Sequence, residues 1–429
     1  MKSIQGENIY FIGIGGVSMS GLALVLNHRG YRVQGSDRER FETAADLESR
    51  GIQINYGHAR ENITKSIDLI VYTAAIKEDN PELAQGRELG ITAITRAELL
   101  GILINEYKNS VCVAGTHGKT TTTSMIAHLL LELGLSPTVS LGAFMEKIGG
   151  NFRLGDNEYF IVESCEYNDS FLSFSPNIGV ILNIDYDHTD FYPNLESLEA
   201  SFKKFAENTK DYLIINKNIK NFDKITGSTT AEIIPFGGEV PDFTIPLIGE
   251  HSKENALAAK SVTEALGLEF NQSLFDNYKS PYRRFEIKGE NSQNILVIDD
   301  YAHHPTEVKA TLKAVKEAYP NRKIYCLFQP HTYTRTKSFL DDFAEAFVLA
   351  DVLILMDIFA AREPDTGMVS TKDLYVKIVK PRETYYLPTE EPVDGIVEKF
   401  LEKKLKKDSL LITMGATKVG LAGDLVLKK

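Results

Sequence analysis

Several short runs of this chain set chemistry-bearing side chains at the ends of apolar segments. The densest is Gly115-Thr116-His117-Gly118-Lys119-Thr120-Thr121, which follows the apolar run Ser110 to Ala114 and precedes a helical pattern reaching about Leu133. Glycines at such a junction let backbone N–H groups close around phosphate oxygens, and the following helix aims its positive end at them. Lys119 is placed to reach the terminal phosphates of a nucleoside triphosphate, and the Thr120 hydroxyl to ligate Mg²⁺. Val113 stands where the full phosphate-loop pattern carries its first glycine, so the alternative is a polar loop with a surface lysine.

A second run, Gly13-Ile14-Gly15-Gly16-Val17-Ser18, also sits between a strand pattern and a helix pattern. Asp37 lies about 20 residues on, where an acid can hold a ribose. Ser18 takes the place of the third glycine, and the pattern does not separate NAD from another nucleotide or from a turn without a ligand. Glu163 ends the run Tyr159 to Val162, where a carboxylate can hold the Mg²⁺ of a triphosphate. Asp185-Tyr186-Asp187-His188 follows Ile178 to Ile184, read here as one strand. His188 is either a structural histidine or a ligand at the carboxyl end of that strand. Farther on, Asp299-Asp300-Tyr301-Ala302-His303-His304-Pro305-Thr306-Glu307 follows another strand. Arg283 and Arg284 lie upstream, where an arginine can cross a cleft to a phosphate. Arg335 can pair a substrate carboxylate, and the bland alternative for each arginine is a solvated salt bridge.

The elements that position these groups follow from pattern and composition. Short apolar runs alternate with helical patterns throughout, which is the order of parallel α/β sheets. The chain has 429 residues, 43% hydrophobic and 25% charged, enough for several cored domains. Polarity rises near Tyr107-Lys108-Asn109 and a third unit opens near Pro281, so units of 1–107, 108–280 and 281–429 are expected. The net charge of −12, without a basic block, argues against nucleic-acid binding. No run approaches the roughly 18 apolar residues of a membrane span. The first residues lack a signal-peptide core, and the three scattered cysteines have no CxxC spacing, so a reducing cytoplasm is expected. Monomer and homodimer both remain open.

Taken together, the motifs resemble the Mur ligases of peptidoglycan synthesis. The resemblance rests on GIGGVSMSGLA from Gly13, Ser36-Asp37, Asn80-Pro81, RAELL from Arg96, GTHGKTTTT, NIDYDHTD, YRRFE, DDYAHHPTEV and FQPHTYTRT, in the family's order. It implies a Rossmann-like N-terminal domain that binds a UDP-sugar, a central P-loop ATPase-like domain, and a C-terminal Rossmann-like domain. It implies an ATP-dependent ligase that joins L-alanine to the lactyl carboxylate of UDP-N-acetylmuramate through an acyl phosphate, with Mg²⁺ or Mn²⁺. By the same resemblance, ATP meets Gly115, Thr116, His117, Gly118, Lys119, Thr120, Thr121, Asn255 at adenine, Arg284 at the phosphates and Asp300 on the ribose side. Thr120, Glu163 and His188 would serve the metals. Lys119, Glu163, His188, Arg284 and Asp300 would be catalytic. The UDP-sugar would meet Gly13, Gly15, Gly16, Val17, Ser18, Met19, Ser20, Ser36, Asp37, Ala74 and Ala75, and alanine would meet His304 and Arg335.

This chain departs from the family pattern in three places. The run after Glu163 is Ser164-Cys165-Glu166-Tyr167-Asn168-Asp169-Ser170. Ser252 follows His251 where an asparagine is usual. Thr417-Lys418 follows Gly415-Ala416 where the family commonly has glycine and aspartate. Three other readings compete: a related ligase that attaches a recycled peptide to the same UDP-sugar, a NAD-dependent oxidoreductase built on Gly13, Gly15 and Asp37, and a nucleotide-binding protein without catalysis.

Overall fold

In the computed structural model, which describes residues 4, 6–73, 75–361 and 363–428, the strands fall into three separate sheets. The first contains β1 (Asn8–Ile12), β2 (Arg32–Asp37), β3 (Gln53–Tyr56), β4 (Leu69–Tyr72) and β5 (Thr92–Thr95). Its order is β3-β2-β1-β4-β5 and every pair is parallel. The order reverses between β1 and β4, which opens a crevice beyond Ile12 and Tyr72. Ile9, Tyr10, Phe11 and Ile12 are all fully buried, as expected where helices cover both faces of a parallel sheet.

The second sheet contains β6 (Asn109–Ala114), β7 (Thr138–Met145), β8 (Gly150–Arg153), β9 (Tyr159–Glu163), β10 (Ile178–Ile181), β11 (Tyr212–Asn216) and β12 (Glu232–Phe236). Its order is β12-β11-β10-β6-β9-β7-β8. Central β6 is flanked by β9 and β10, so the loops after these three strands meet at one edge. β10 is shorter than the run Ile178 to Ile184 suggested. Its partner β6 turns away at Gly115, and the segment from Leu182 onward braces that turn instead.

The third sheet contains β13 (Glu286–Glu290), β14 (Leu296–Asp300), β15 (Ile324–Phe328), β16 (Val352–Met356), β17 (Glu383–Leu387) and β18 (Leu410–Met414), in the order β13-β14-β18-β15-β16-β17. Only the edge pair β13–β14 is antiparallel among these.

The apolar cores are not divided three ways. One continuous cluster joins Ile9, Phe11, Leu22 and Leu103 of the first unit to Phe160, Phe171 and Phe202 of the second. Helix Arg96–Ile104 seals this seam: a Cβ on its Gly101 would lie 2.1 Å from the Ser173 carbonyl oxygen. The third unit has its own clusters around Ile298, Phe328 and Leu355 and around Val297, Leu327 and Ile354.

Candidate nucleotide and phosphoryl-transfer site

The phosphate loop lies between β6 and helix Lys119–Glu132. Gly118 has φ +81, the left-handed region that glycine enters without strain, and a Cβ there would lie 2.5 Å from Asn255 Oδ1. Asn255 therefore rests directly on the loop. The segment after β10 holds the other side: Thr116 N donates to Asn183 O at 3.2 Å, His117 N to Asn183 Oδ1 at 2.8 Å, and Thr116 Oγ1 to Asp185 O at 2.9 Å.

Lys119 Nζ folds back onto the Gly115 and Thr116 carbonyls and onto Glu166 Oε2 at 2.9 Å. Burial alone would depress this ammonium, but Glu166 outweighs it and holds Lys119 up at about 12. Burial works in turn against the Glu166 charge, and Lys119 and then His188 keep its carboxyl below the usual range. His188 Nε2 is 3.3 Å from Glu166 Oε1, and His188 itself has φ +52, a strained position for a side-chain-bearing residue. Glu166 is only 1% exposed and joins two of the sequence-predicted residues, yet it was not singled out from sequence. The available signal was a second acid three positions after Glu163.

Thr120, Glu163 and Arg284 meet one step away. Thr120 Oγ1 donates to Glu163 Oε1 at 2.9 Å, and Gly142 N donates to Glu163 Oε2 at 2.7 Å. Arg284 Nη2 donates to Thr120 Oγ1 at 3.0 Å from the far side of the cleft, with its guanidinium 4.6 Å from the Tyr301 ring centre. Arg284 Nε is buried and has no hydrogen-bond partner among the described residues. A buried guanidinium N–H without an acceptor fits a phosphate oxygen, and the hydroxyl–carboxylate pair beside it is an all-oxygen donor set suited to a hard divalent cation.

A cavity of about 370 Å³ opens behind the loop, between the second and third units. Gly118, Thr121, Asn255, Phe236, Leu247 and His251 line one side, and Arg284, Asp300, Glu307 and Thr311 the other. Asp300 is buried, accepts Ala302 N at 2.9 Å and Thr311 Oγ1 at 3.0 Å, and is pushed up to about 6 by burial. Ser252 turns its hydroxyl to Ile248 O at 2.9 Å, closing its own helical turn. Asn216, which the sequence reading passed over, is an amide on the cavity wall, held by Glu254 at 2.8 Å. The Thr417 departure is also structural: its carbonyl accepts from Arg283 and its hydroxyl bonds Gln329 Oε1.

His304 and Arg335 come together with the loop after β10. His304 caps helix Pro305–Ala318, its Nδ1 accepting from Thr306 N at 3.3 Å, while Nε2 donates to Tyr186 O at 3.1 Å. Arg335 is engaged by Asp187 at Nε and Nη2 and by His331 at Nη1, so all three guanidinium nitrogens already have partners. His117 bridges the same cleft, 3.1 Å from Glu307 and 3.2 Å from Asp185. Burial opposes its charge, but the bonds to Asp185 and Glu307 prevail and raise it to about 9.

In the first unit, Gly13 N and Ile14 N donate to Ser36 O at 2.8 and 2.9 Å, and Gly15 N donates to Asp37 Oδ2 at 2.8 Å. Asp37 thus buttresses the glycine loop itself. Ser36 is fully buried and donates to Glu82 Oε2 at 2.6 Å; Glu82, also fully buried, gathers Tyr10, His58 and Asn62 as well. Val17 is exposed, Met19 and Ser20 are buried in the helix, Gly16 N bonds back to Gly13 O, and Ala75 is exposed in the turn after β4. Ala74 lies outside the described residues. Arg96 Nη1 donates to Ser18 Oγ at 3.1 Å; the guanidinium is partly buried, which depresses it, and no carboxylate among the described residues pairs with it.

Residues 8–108 match the Mur ligase family, catalytic domain; residues 113–240 the Mur ligase middle domain; and residues 283–417 the Mur ligase, glutamate ligase domain. The chain is 42% identical to the UDP-N-acetylmuramate–L-alanine ligase of Agathobacter rectalis, covering 98% of each. It resembles the solved UDP-N-acetylmuramate-alanine ligase MurC of Thermotoga maritima at 28% identity and a TM-score of 0.76, covering 98% of each chain. It shares its fold with the murein peptide ligase of Psychrobacter arcticus at 20% identity and a TM-score of 0.67, covering 99% of this chain and 98% of that one.

Proposed function

Because the chain belongs to the Mur ligase family, we propose that its clefts are the working parts of a UDP-N-acetylmuramate–L-alanine ligase. It is an ATP-dependent enzyme that forms an amide between L-alanine and the lactyl carboxylate of UDP-N-acetylmuramate, in peptidoglycan precursor synthesis. The observation that carries the site assignment is that Lys119 meets Glu166, and Thr120 meets both Glu163 and Arg284, on the same loop whose Gly118 and Thr121 line the cavity with Arg284.

A carboxylate is a poor electrophile toward an amine. The lactyl carboxylate oxygen therefore attacks the γ-phosphorus of ATP, the bond to the β-bridging oxygen breaks, and ADP leaves. The alanine amine then adds to the acyl carbon, loses a proton, and inorganic phosphate departs. The first step brings anions together, so the residues must supply positive charge where it develops. Lys119, freed from the Gly115 and Thr116 carbonyls, holds the terminal phosphates while Glu166 keeps it charged and aimed. Arg284 offers its unpartnered Nε to the same phosphates. Asn255 meets adenine, and Asp300 lies on the ribose side. Thr120, Glu163 and His188 would hold Mg²⁺, which neutralises phosphate charge when bound. The UDP-sugar lies in the crevice beyond β1 and β4, with Gly13 to Ser20, Ser36, Asp37 and Ala75 around it. Arg96, poised beside Ser18, meets an anionic group of that substrate. L-Alanine lies toward His304 and Arg335, where its carboxylate competes with Asp187 for the guanidinium. The enzyme works in the cytoplasm; in support, no helix among the described residues is long and apolar enough to cross a membrane.

The test is ADP release with UDP-N-acetylmuramate and a panel of amino acids and peptides. Turnover with L-alanine is expected. Turnover only with a murein peptide would move the chain to the peptide-attaching branch, and ATP binding without any turnover would remove the catalytic reading.

A further inference from the structure

Cys165 stands between Glu163 and Glu166, in the first of the three departures from the family pattern, and it has no role in the chemistry above. It is the one exposed cysteine; Cys112 and Cys326 are fully buried. Its Sγ, a Glu166 carboxylate oxygen and a His188 ring nitrogen all lie within 4.8 Å of one another, with the His188–Glu166 separation 3.3 Å. Thiolate, imidazole and carboxylate are the donors that select zinc-like cations, whereas Mg²⁺ avoids sulfur. Bonds of about 2.0–2.3 Å to zinc place tetrahedral donors roughly 3.3–3.7 Å apart, so the trio needs only a small inward rotation of the cysteine and histidine side chains.

We propose that Cys165, Glu166 and His188 form a binding site for a thiophilic divalent cation, Zn²⁺ or Cd²⁺, at the mouth of the phosphate loop, and that filling it blocks the ligase. On binding, the Cys165 S–H proton passes to water and a sulfur–metal bond forms. Lys119 Nζ lies 2.9 Å from Glu166 Oε2 and 3.2 Å from Oε1, so a metal bound through Oε1 displaces the longer of these contacts and sits beside the ammonium that must meet the γ-phosphate. It also takes His188 away from Mg²⁺. The blocking half of the inference rests on the ligase reading; the binding half does not.

The experiment uses the full chain. Cd²⁺ is titrated into wild-type protein without Mg²⁺, following the ultraviolet thiolate-to-Cd²⁺ charge-transfer band, and Zn²⁺ inhibition of ADP release is measured in Mg²⁺. One Cd²⁺ per chain is expected. Cys165→Ser should lose the band, keep its Mg²⁺-supported rate, and need more than about tenfold more Zn²⁺ for half-inhibition. His188→Ala should retain the band but bind Cd²⁺ at least about tenfold more weakly. An unchanged band in Cys165→Ser, or unchanged Cd²⁺ affinity in His188→Ala, overturns the three-donor site. Zn²⁺ inhibition that Cys165→Ser does not relieve overturns the blocking. Absence of any ligase activity in the metal-free wild type given Mg²⁺ would instead count against the ligase reading, with the Cd²⁺ titration still deciding the site.

Discussion

The Arg335 guanidinium grips the Asp187 carboxylate twice, Nε to Oδ1 at 2.9 Å and Nη2 to Oδ2 at 3.1 Å, and so ties the third unit to the loop after β10. Both side chains are nearly buried, at 10% and 8% exposed. Burial works against the Asp187 charge, but Arg335 overwhelms it and holds the carboxyl far below its usual range. Removing one member of such a pair leaves an uncompensated charge and costs about 3–5 kcal/mol. Asp187→Ala is expected to lose stability on that scale in denaturant unfolding. The double change Asp187→Ala with Arg335→Met should recover part of it, and a strictly additive result would show that the pair is not coupled.

Lys119→Ala is expected to lower the rate of ADP formation roughly a thousandfold or more, the loss of a cation from a phosphoryl-transfer site. The buried Glu166 adds a second effect, because its carboxylate would then lack its main cation. Lys119→Ala should therefore also unfold at lower denaturant than wild type, and Lys119→Ala with Glu166→Gln should restore stability without restoring rate. Near-normal ADP release by a folded Lys119→Ala protein would remove the phosphate-loop assignment.

Arg96 offers a different readout. A partly buried guanidinium with a serine partner and no carboxylate is expected to serve an anionic ligand. Arg96→Leu should raise KM for UDP-N-acetylmuramate by about one to two orders of magnitude, the worth of a charge-assisted bond of roughly 1.5–3 kcal/mol. KM for ATP should stay put. Steady-state kinetics with each substrate varied in turn makes the distinction, and an equal effect on both would mark Arg96 as merely structural.

The His117 bridge sets a pH window. Its folded value, about 9, lies above the ordinary 6.5, so the protonated form is the one the fold favours. The stability it contributes is complete below about 6.5 and is lost as pH rises through about 9. Asp185, facing it, is held down at about 2 despite its burial, chiefly by the His117 bond, and Glu307 is also held low, so neither partner titrates in this window. Small-angle scattering of the ligand-free protein should show a looser third unit at pH 10 than at pH 7. His117→Gln should flatten that dependence.

What could be read from sequence was local. Gly118-Lys119-Thr120 announces itself because the turn, the cation and the helix start are contiguous, and the strands that Glu163 and Asp300 end, and that Arg335 follows, are short apolar runs with clear ends. Partnerships across the chain were not legible. Nothing near Arg335 in sequence points to Asp187, 148 positions away, and nothing near Ser18 points to Arg96. The hairpin β7–β8 was missed because Ser140 and Gly142 interrupt the apolar run of β7, and β8, Gly150–Arg153, is half-buried along its whole length. Asp37 also accepts Gly15 N, a bond not legible in sequence because it depends on how β1 and β2 align.

The seam between the first two units is apolar, while the third meets the second largely through His117–Glu307, Thr306–Asp185, Arg335–Asp187 and Arg284–Thr120. These two joints respond to opposite stimuli. Parting the first would wet aromatic and aliphatic side chains, so it endures salt and weakens in the cold. The second also buries apolar surface, with Tyr186 and Ile248 packed against the third unit's cluster, but it adds charged contacts, and dissolved salt screens the more exposed of these more than the nearly buried Arg335–Asp187 pair. Ionic strength is therefore expected to act on the joint that frames the phosphate loop and to leave the seam of the first two units untouched, a contrast between two joints of one molecule that a salt series would read.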